Sequence, residues 1–288
     1  MDYYTKYLKY KHKYSYLRKK INGGTINTTI ICATHNNRLK KIFKDLDKSL
    51  DKSAPIKSFN NCAIIRFYRD SDIVKVEMIY EGDPYDKSIC GSESGCWNKE
   101  TFNNFYRDKT FSITMAPNTE VLLVRHGLGV HNQMSKLQQA INLKKDSQLT
   151  ETGIKQAEDA GLFLTNYVNN KSLVFMASHL LRTQQTISVI MDALGKKQTV
   201  YIVPYAHEIN YVGSDNHILQ YIPIAINMPK CKSSNNSCDK LTYFSEVDKY
   251  NGFEVDINWD YYTDFSNNNM KYENTDLLSQ ISALYNTI

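Results

Sequence analysis

The chain has 288 residues, 42% of them hydrophobic, with a formal net charge of +5, which is enough to bury a full core in one large domain or two small ones. Seven lysines and arginines fall within residues 1–20 against Asp2 alone, so the basic balance belongs to the tail and the body is close to neutral. No run of 18 or more apolar residues exists, which argues against a transmembrane span, and the charged amino terminus lacks the apolar stretch of a secretory signal.

Six cysteines, Cys32, Cys62, Cys90, Cys96, Cys231 and Cys238, are too few for a disulfide scaffold at this length. The pairs Cys90/Cys96 and Cys231/Cys238 are spaced more widely than zinc ligands usually are. Free thiols in a reducing, intracellular (cytoplasmic) compartment are the expectation.

In chain order, Tyr3, Tyr7, Tyr10, Tyr14, Leu17 and Ile21 share one seam of an amphipathic basic helix that Gly23-Gly24 stops. Two readings stand for this tail of residues 1–27. Its tyrosine face packs on the body, or its lysines dock weakly on an anionic partner such as nucleic acid or a membrane surface. The tail also resembles an N-terminal segment found on proteins of giant DNA viruses, a hint of a virus-encoded source rather than of activity.

Thr28 to Thr34 reads as a buried strand ending on His35, followed by a helix from Arg38 to about Leu50. Asn61 to Tyr68 and Ile73 to Tyr80 read as an antiparallel hairpin. Residues 82–118 form a long connector with a short helix near Asn98 to Tyr106.

Val121 to Val124 is an uninterrupted apolar strand that ends on Arg125-His126-Gly127. Open α/β sheets bind ligands at strand carboxyl ends, and Gly127 allows a sharp turn that brings amide groups close to an anion. A helix near Met134 to Leu143 follows, then a helix over Ile154 to Val168 that starts after Thr150. Next come a strand at Ser172 to Met176, a helix from about Arg182 to Leu194, and a strand at Gln198 to Val203 leading to His207-Glu208. Residues 213–272 show no assignable pattern, and Thr275 to Thr287 reads as a final amphipathic helix. Alternating strands and helices of these lengths predict a three-layer α/β/α sandwich on a mostly parallel sheet.

Four blocks now stand in one order. They are Arg125-His126-Gly-x-Gly-x-His131-Asn132; Asp146, Leu149, Thr150, Gly153 and Gln156; Ser178, Leu180, Arg182, Thr183 and Gln185; and Glu208. Together they resemble the histidine phosphatase superfamily, the phosphoglycerate mutase-like fold. The family's second histidine normally closes a late strand, and nothing after Glu208 matches that strand. The run from Thr28 through His35 to Phe43 resembles it instead, and the hairpin behind it is similar to the family's closing strands. The resemblance therefore implies a circular permutation of a single domain, 28–288. In it, 28–81 is the old C-terminal part, 82–118 bridges the old termini and 119–288 is the old N-terminal part.

What the resemblance implies for chemistry suits the residue types. Arg125 and Arg182 offer guanidinium forks to phosphate oxygens, with His35 as a third donor and Asn132 as a neutral one. His126 is the nucleophile expected to form a phosphohistidine, and Glu208 the acid for the leaving alkoxide. No metal or other cofactor is called for. The role of His131 stays open; His179 reads as structural, His207 as a weak competitor for the acid and His12 as solvent-facing. The expected activity is a metal-independent phosphomonoester hydrolase acting on a phosphorylated small molecule or phosphoprotein. The alternatives are phosphoglycerate mutase-type transfer and a catalytically silent phospho-ligand-binding module.

Overall fold

The computed structural model describes residues 26–46, 57–70, 73–83, 95–111, 113, 115–133, 147–178, 180–203, 206, 208, 257–258, 277–278, 281 and 285. The tail helix, the helix near Met134 to Leu143, most of 213–272, and the residues His12, His179, His207 and His217 lie outside these. So does the side chain of His131.

Seven strands form one sheet: β1 (Thr28–Thr34), β2 (Ile64–Asp70), β3 (Ile73–Tyr80), β4 (Thr119–Arg125), β5 (Ser172–Ala177), β6 (Val200–Ile202) and β7 (Ile257–Asn258). Their spatial order is β3-β2-β4-β1-β5-β6-β7. From β4 to β7 every pairing is parallel, whereas β2 runs antiparallel to both β3 and β4. The mostly parallel α/β sheet expected from the sequence is thus present, with an antiparallel hairpin at one edge. Strand β7 is an addition that the irregular segment gave no reason to expect; with only two residues it carries no periodicity to read.

The central strands β1 and β4 are buried along their whole lengths, which is why both read as unbroken apolar runs rather than alternating ones. Successive residues serve opposite faces. Ile30, Cys32, Val121 and Leu123 join one core cluster with helices α1 (Asn36–Leu46) and α2 (Lys99–Tyr106), while Ile31, Ala33, Leu122 and Val124 join another with α3 (Glu151–Tyr167) and α4 (Leu181–Ala193). Those two cores make the three layers.

The connector is more than a tether. Its helix α2 is capped by Asn98, whose side chain accepts from Thr101 N at 2.8 Å, and it inserts Phe102 and Tyr106 beside Phe43 and Phe59 in the first core. Residues Leu277, Leu278 and Ile281 are helical and buried in the same core. Tyr285 OH lies 3.1 Å from Thr28 Oγ1, so Tyr285 rests against the start of β1. Helix α1 covers Asn36–Leu46, and the remainder of the expected helix, to about Leu50, lies outside the described residues. Strand β2 runs on to Asp70, because ladder pairing with β3 continues past the point where the apolar pattern fades.

The expectation of free thiols holds for Cys32 and Cys62, which are buried. Burial also pushes both thiols well above the usual thiol range, so neither is a ready nucleophile. Cys96 corrects it: this residue is disulfide-bonded. A disulfide needs only a suitable Cα separation, which cysteines in irregular segments reach without the tight spacing a zinc site demands. No helix among the described residues is long and apolar enough to cross a membrane.

Candidate active site

Parallel register brings the functional side chains together. Thr34 pairs with Arg125 and Ala33 with Ala177, so His35, His126 and Ser178 each follow the last residue of adjacent strands. Backbone bonds tie the three strand ends, with His126 N donating to Thr34 O at 3.0 Å and Ser178 N to Ala33 O at 3.2 Å. Beyond β6, Val203 N donates to Ala177 O, and Thr34 Oγ1 donates to Ala206 O. These contacts deliver Glu208 to the same edge.

His126 is buried, and its Nδ1 lies 2.7 Å from the Gly127 carbonyl oxygen. A carbonyl can only accept, so Nδ1 carries the proton and Nε2 keeps its lone pair. That lone pair receives Arg182 Nε at 3.2 Å. His35 stands beside it, with ring centroids 5.1 Å apart and planes inclined by 62°. Its Nε2 lies 2.8 Å from Ser178 Oγ, and its Nδ1 faces Glu208 Oε2 at 3.6 Å.

Arg125 points its guanidinium at the Phe59 carbonyl through NH1, while its Nε has no hydrogen-bond partner among the described residues. Burial drops the Arg125 pKa to about 10, against the pull of Glu208. The structure therefore gathers His126, His35, Arg125, Arg182 and Glu208 at one edge.

Asn132, expected as a neutral donor to phosphate, also makes a bond within the loop. It lies in the 3-10 turn Val130–Gln133, where its Oδ1 accepts from Gly129 N at 3.2 Å. That bond braces the loop after His126. Gly127 does a different job from the one its sequence position suggests. A Cβ there would sit 2.4 Å from Gly153 O, and one on Gly153 would sit 2.2 Å from Leu128 O. The two glycines let the start of α3 press against the loop behind His126. The motif glutamines hold that loop, with Gln156 Oε1 accepting from Leu128 N at 2.9 Å and Gln185 Oε1 from Leu149 N at 2.7 Å. Thr150, as expected, caps α3 by accepting from Gly153 N.

Arg38 was not foreseen. It lies on the face of α1 that buries Leu39, Ile42 and Phe43, and burial lowers its pKa to about 10 while the charge of Glu208 opposes the shift. A charged residue on an apolar helix face, three positions after a strand-end histidine, was the available signal. Half-buried Lys40 is lowered as well, first by burial and then by the charge of Arg125.

His35, His126 and Glu208 offer ligand atoms all within 4.8 Å of one another, a spacing that a metal ion could use. The surroundings fit an anion better. Arg182 already donates to His126 Nε2, and the guanidinium of Arg125 lies in the same field as Glu208, so a cation would enter against positive charge.

Comparison with known proteins agrees with this chemistry. Residues 121–220 match the histidine phosphatase superfamily (branch 1). Phosphoglycerate mutase 3 of Saccharomyces cerevisiae is 34% identical over 95 residues, 32% of this chain and 30% of that protein. A probable phosphoglycerate mutase GpmB of Yersinia pestis is 37% identical over 92 residues, 32% of this chain and 38% of that protein. The chain thus spans about a third of the length of the curated relatives it matches. No solved structure gives a significant match. The matched run opens in β4, just ahead of Arg125-His126-Gly127, and extends past Glu208, and by it residues 121–220 carry a histidine phosphatase superfamily domain.

Proposed function

We propose that this protein is a phosphomonoester hydrolase that works through a phosphohistidine on His126 without a metal ion. The observation that carries the reading is the orientation of one ring. The Gly127 carbonyl holds the proton on Nδ1, so Nε2 is a neutral nucleophile facing a guanidinium, in a setting rich in positive charge.

In this scheme a phosphoryl group displaces the long Arg182–His126 contact, and Arg182, Arg125 and His35 take its oxygens. His126 Nε2 attacks phosphorus in line as the bond to the ester oxygen breaks. Glu208 gives its proton to the departing alkoxide, then takes one from the water that attacks the phosphohistidine, which restores both residues and releases phosphate. Arg38 and Lys40 add to the field that favours a dianionic group.

A second reading, transfer of the phosphoryl group back to substrate in the manner of a phosphoglycerate mutase, is favoured by the names of the relatives. Both share the first half-reaction and differ in the acceptor.

The assembly of His35 with His126 also supports a circular permutation. Strand β1 lies between β4 and β5 and parallel to both. Tyr285 touches Thr28, where an unpermuted chain would pass from its late helix into this strand. A chain re-opened before residue 119, with 288 linked to 26, is expected to fold and keep its activity. Failure to fold would count against this history and leave the chemistry untouched.

The deciding experiment is hydrolysis of an aryl phosphate in excess chelator, comparing the native chain with His126→Ala. Turnover that survives chelation and disappears in the variant, with an acid-labile phosphoprotein trapped in the native chain, is the expected result. Conversion of 3-phosphoglycerate to its isomer without phosphate release would select the mutase reading. Phosphate binding with no turnover of either kind would indicate a silent binding module.

A further inference from the structure

The hydroxyls behind His35 allow its protons to be counted. Thr183 Oγ1 lies 2.7 Å from Leu180 O and 3.1 Å from Ser178 O. Both are pure acceptors, so the single hydroxyl hydrogen of Thr183 points at a carbonyl. Toward Ser178 Oγ, 2.8 Å away, Thr183 can then only accept, and the Ser178 hydrogen is used there. Ser178 Oγ also receives Leu180 N at 3.2 Å. Its remaining neighbour is His35 Nε2 at 2.8 Å, which must donate to it. His35, Ser178 and Thr183 are all 0% exposed.

We infer that Ser178 and Thr183 form a hydroxyl relay that fixes one ring proton of His35 on Nε2. Nδ1, the nitrogen facing Glu208, is then the one site where His35 gains or loses a proton. Ser178 and Thr183 are therefore positioning residues for the phosphoryl pocket. Ser178 directly follows β5, and Thr183 lies in the first turn of α4, directly after Arg182. The turn that aims the guanidinium at His126 thus also orients the second histidine.

The catalytic consequence rests on the phosphohistidine reading. When a phosphoryl oxygen arrives, His35 takes up a second proton on Nδ1 and, anchored at Nε2, presents that N–H toward the space it shares with Glu208 and His126. Without the anchor, neutral His35 divides between two tautomers and the ring is free to turn, so the donor is in place for only part of the time.

The test uses the full chain labelled with 15N-histidine, at a pH where the rings are neutral, with His35→Gln identifying the resonance. Long-range 1H–15N spectra are expected to show the Nε2–H form of His35 in the native chain and in Thr183→Ser, which keeps the hydroxyl. In Thr183→Val the Ser178 hydrogen loses its acceptor and is free to turn to His35, so the preference for Nε2–H is expected to be lost and the ring to divide between two tautomers. With an aryl phosphate, Thr183→Val should lose about ten- to a hundredfold in kcat while KM stays within about twofold, and Thr183→Ser should restore most of the loss. If Thr183→Val does not fold, Ser178→Ala carries the same expectation of a lost tautomer preference.

Native His35 protonated on Nδ1 would overturn the inference, as would a Thr183→Val variant that keeps both tautomer and kcat. Absence of turnover in the native chain would remove the phosphohistidine reading, and the spectra would still decide where the proton sits.

Discussion

The two ends of β4 hold buried charge in opposite ways. At the amino end, fully buried Glu120 accepts from Thr29 Oγ1 at 2.6 Å, Arg66 Nε at 2.7 Å, Lys171 Nζ at 2.7 Å and Tyr167 OH at 3.1 Å. One anion thus meets two cations and two hydroxyls, and Arg66 is shared with Glu77. At the carboxyl end, five residues along the same strand, Arg125, Arg182 and Arg38 are buried, and among the described residues Glu208 acts on Arg125 and Arg38, with Asp45 also acting on Arg38. Among the described residues the first end is balanced, and the second carries a surplus of positive charge. Burying charge without compensation costs stability. That surplus is what a site needs if an anionic ligand is to complete it.

If this contrast is sound, variants at the two ends should separate activity from stability. The largest effect is expected for His126→Ala, which should lower kcat by about 10⁴-fold or more while shifting unfolding by no more than about 1 kcal/mol. Steady-state kinetics and urea unfolding on the same preparations check both halves. Next is Arg182→Met, which removes a buried cation and replaces it with apolar volume. Turnover should fall by about 10²- to 10³-fold, while stability holds or rises by on the order of 1 kcal/mol. A loss of more than about 2 kcal/mol would mean that Arg182 serves the fold, and the contrast would fail.

Glu120→Ala should give the opposite pattern. Deleting the shared acceptor strands Lys171, leaves Arg66 with Glu77 alone, and should cost about 3 kcal/mol, an amount held down by the partial exposure of both cations. With substrate saturating, kcat should stay within about twofold of native below the melting range. Thermal unfolding alongside the aryl phosphate assay decides it.

The two ends also differ in how much of them the sequence disclosed. His35, Arg125, His126 and Arg182 each close a strand or open a helix, and those positions can be read from apolar runs and their stops, while Glu208 lies past the end of β6. The sheet then had only to bring the ends together, which parallel register does without further information. The Glu120 network was not legible. Its members come from β1, β2, α3, the turn after α3 and β4, and no spacing links Thr29, Arg66, Tyr167 and Lys171. Glutamate ahead of an apolar run also reads as an ordinary solvent-facing residue. Arg38 escaped notice because amphipathic patterns assign charged residues to the wet face. The glycines of motif and helix start were legible as special, but their mutual contact was not, since it is a tertiary distance.

That contact gives a smaller prediction. Gly153→Ala places a methyl group 2.2 Å from Leu128 O and 2.8 Å from Leu128 N. Both are backbone atoms, so the loop behind His126 must move. Overpacking of this kind should cost about 1–3 kcal/mol. Because the shifted loop carries His126 with it, kcat should fall as well, which neither end shows alone. A loss of stability with unchanged kcat would mean that the nucleophile is held from β4 rather than from α3.

The smallest effect lies in the acid limb. Burial alone would raise the Glu120 pKa, but hydrogen bonds from Lys171 and Thr29 and the charge of Arg66 outweigh it and hold the carboxyl below its ordinary value. A carboxyl depressed in the folded state binds its proton less readily than in the unfolded chain. Its contribution is therefore complete above the unfolded value of about 4.3 and is lost as pH falls through the lower folded value. The gap in unfolding free energy between the native chain and Glu120→Gln should be flat from neutrality down to about pH 5 and narrow below it. Urea titrations across that range measure the gap. A gap that widens in acid would mean that Glu120 takes up its proton more readily when folded, and the amino end of β4 would then be the strained end of the strand instead of the balanced one.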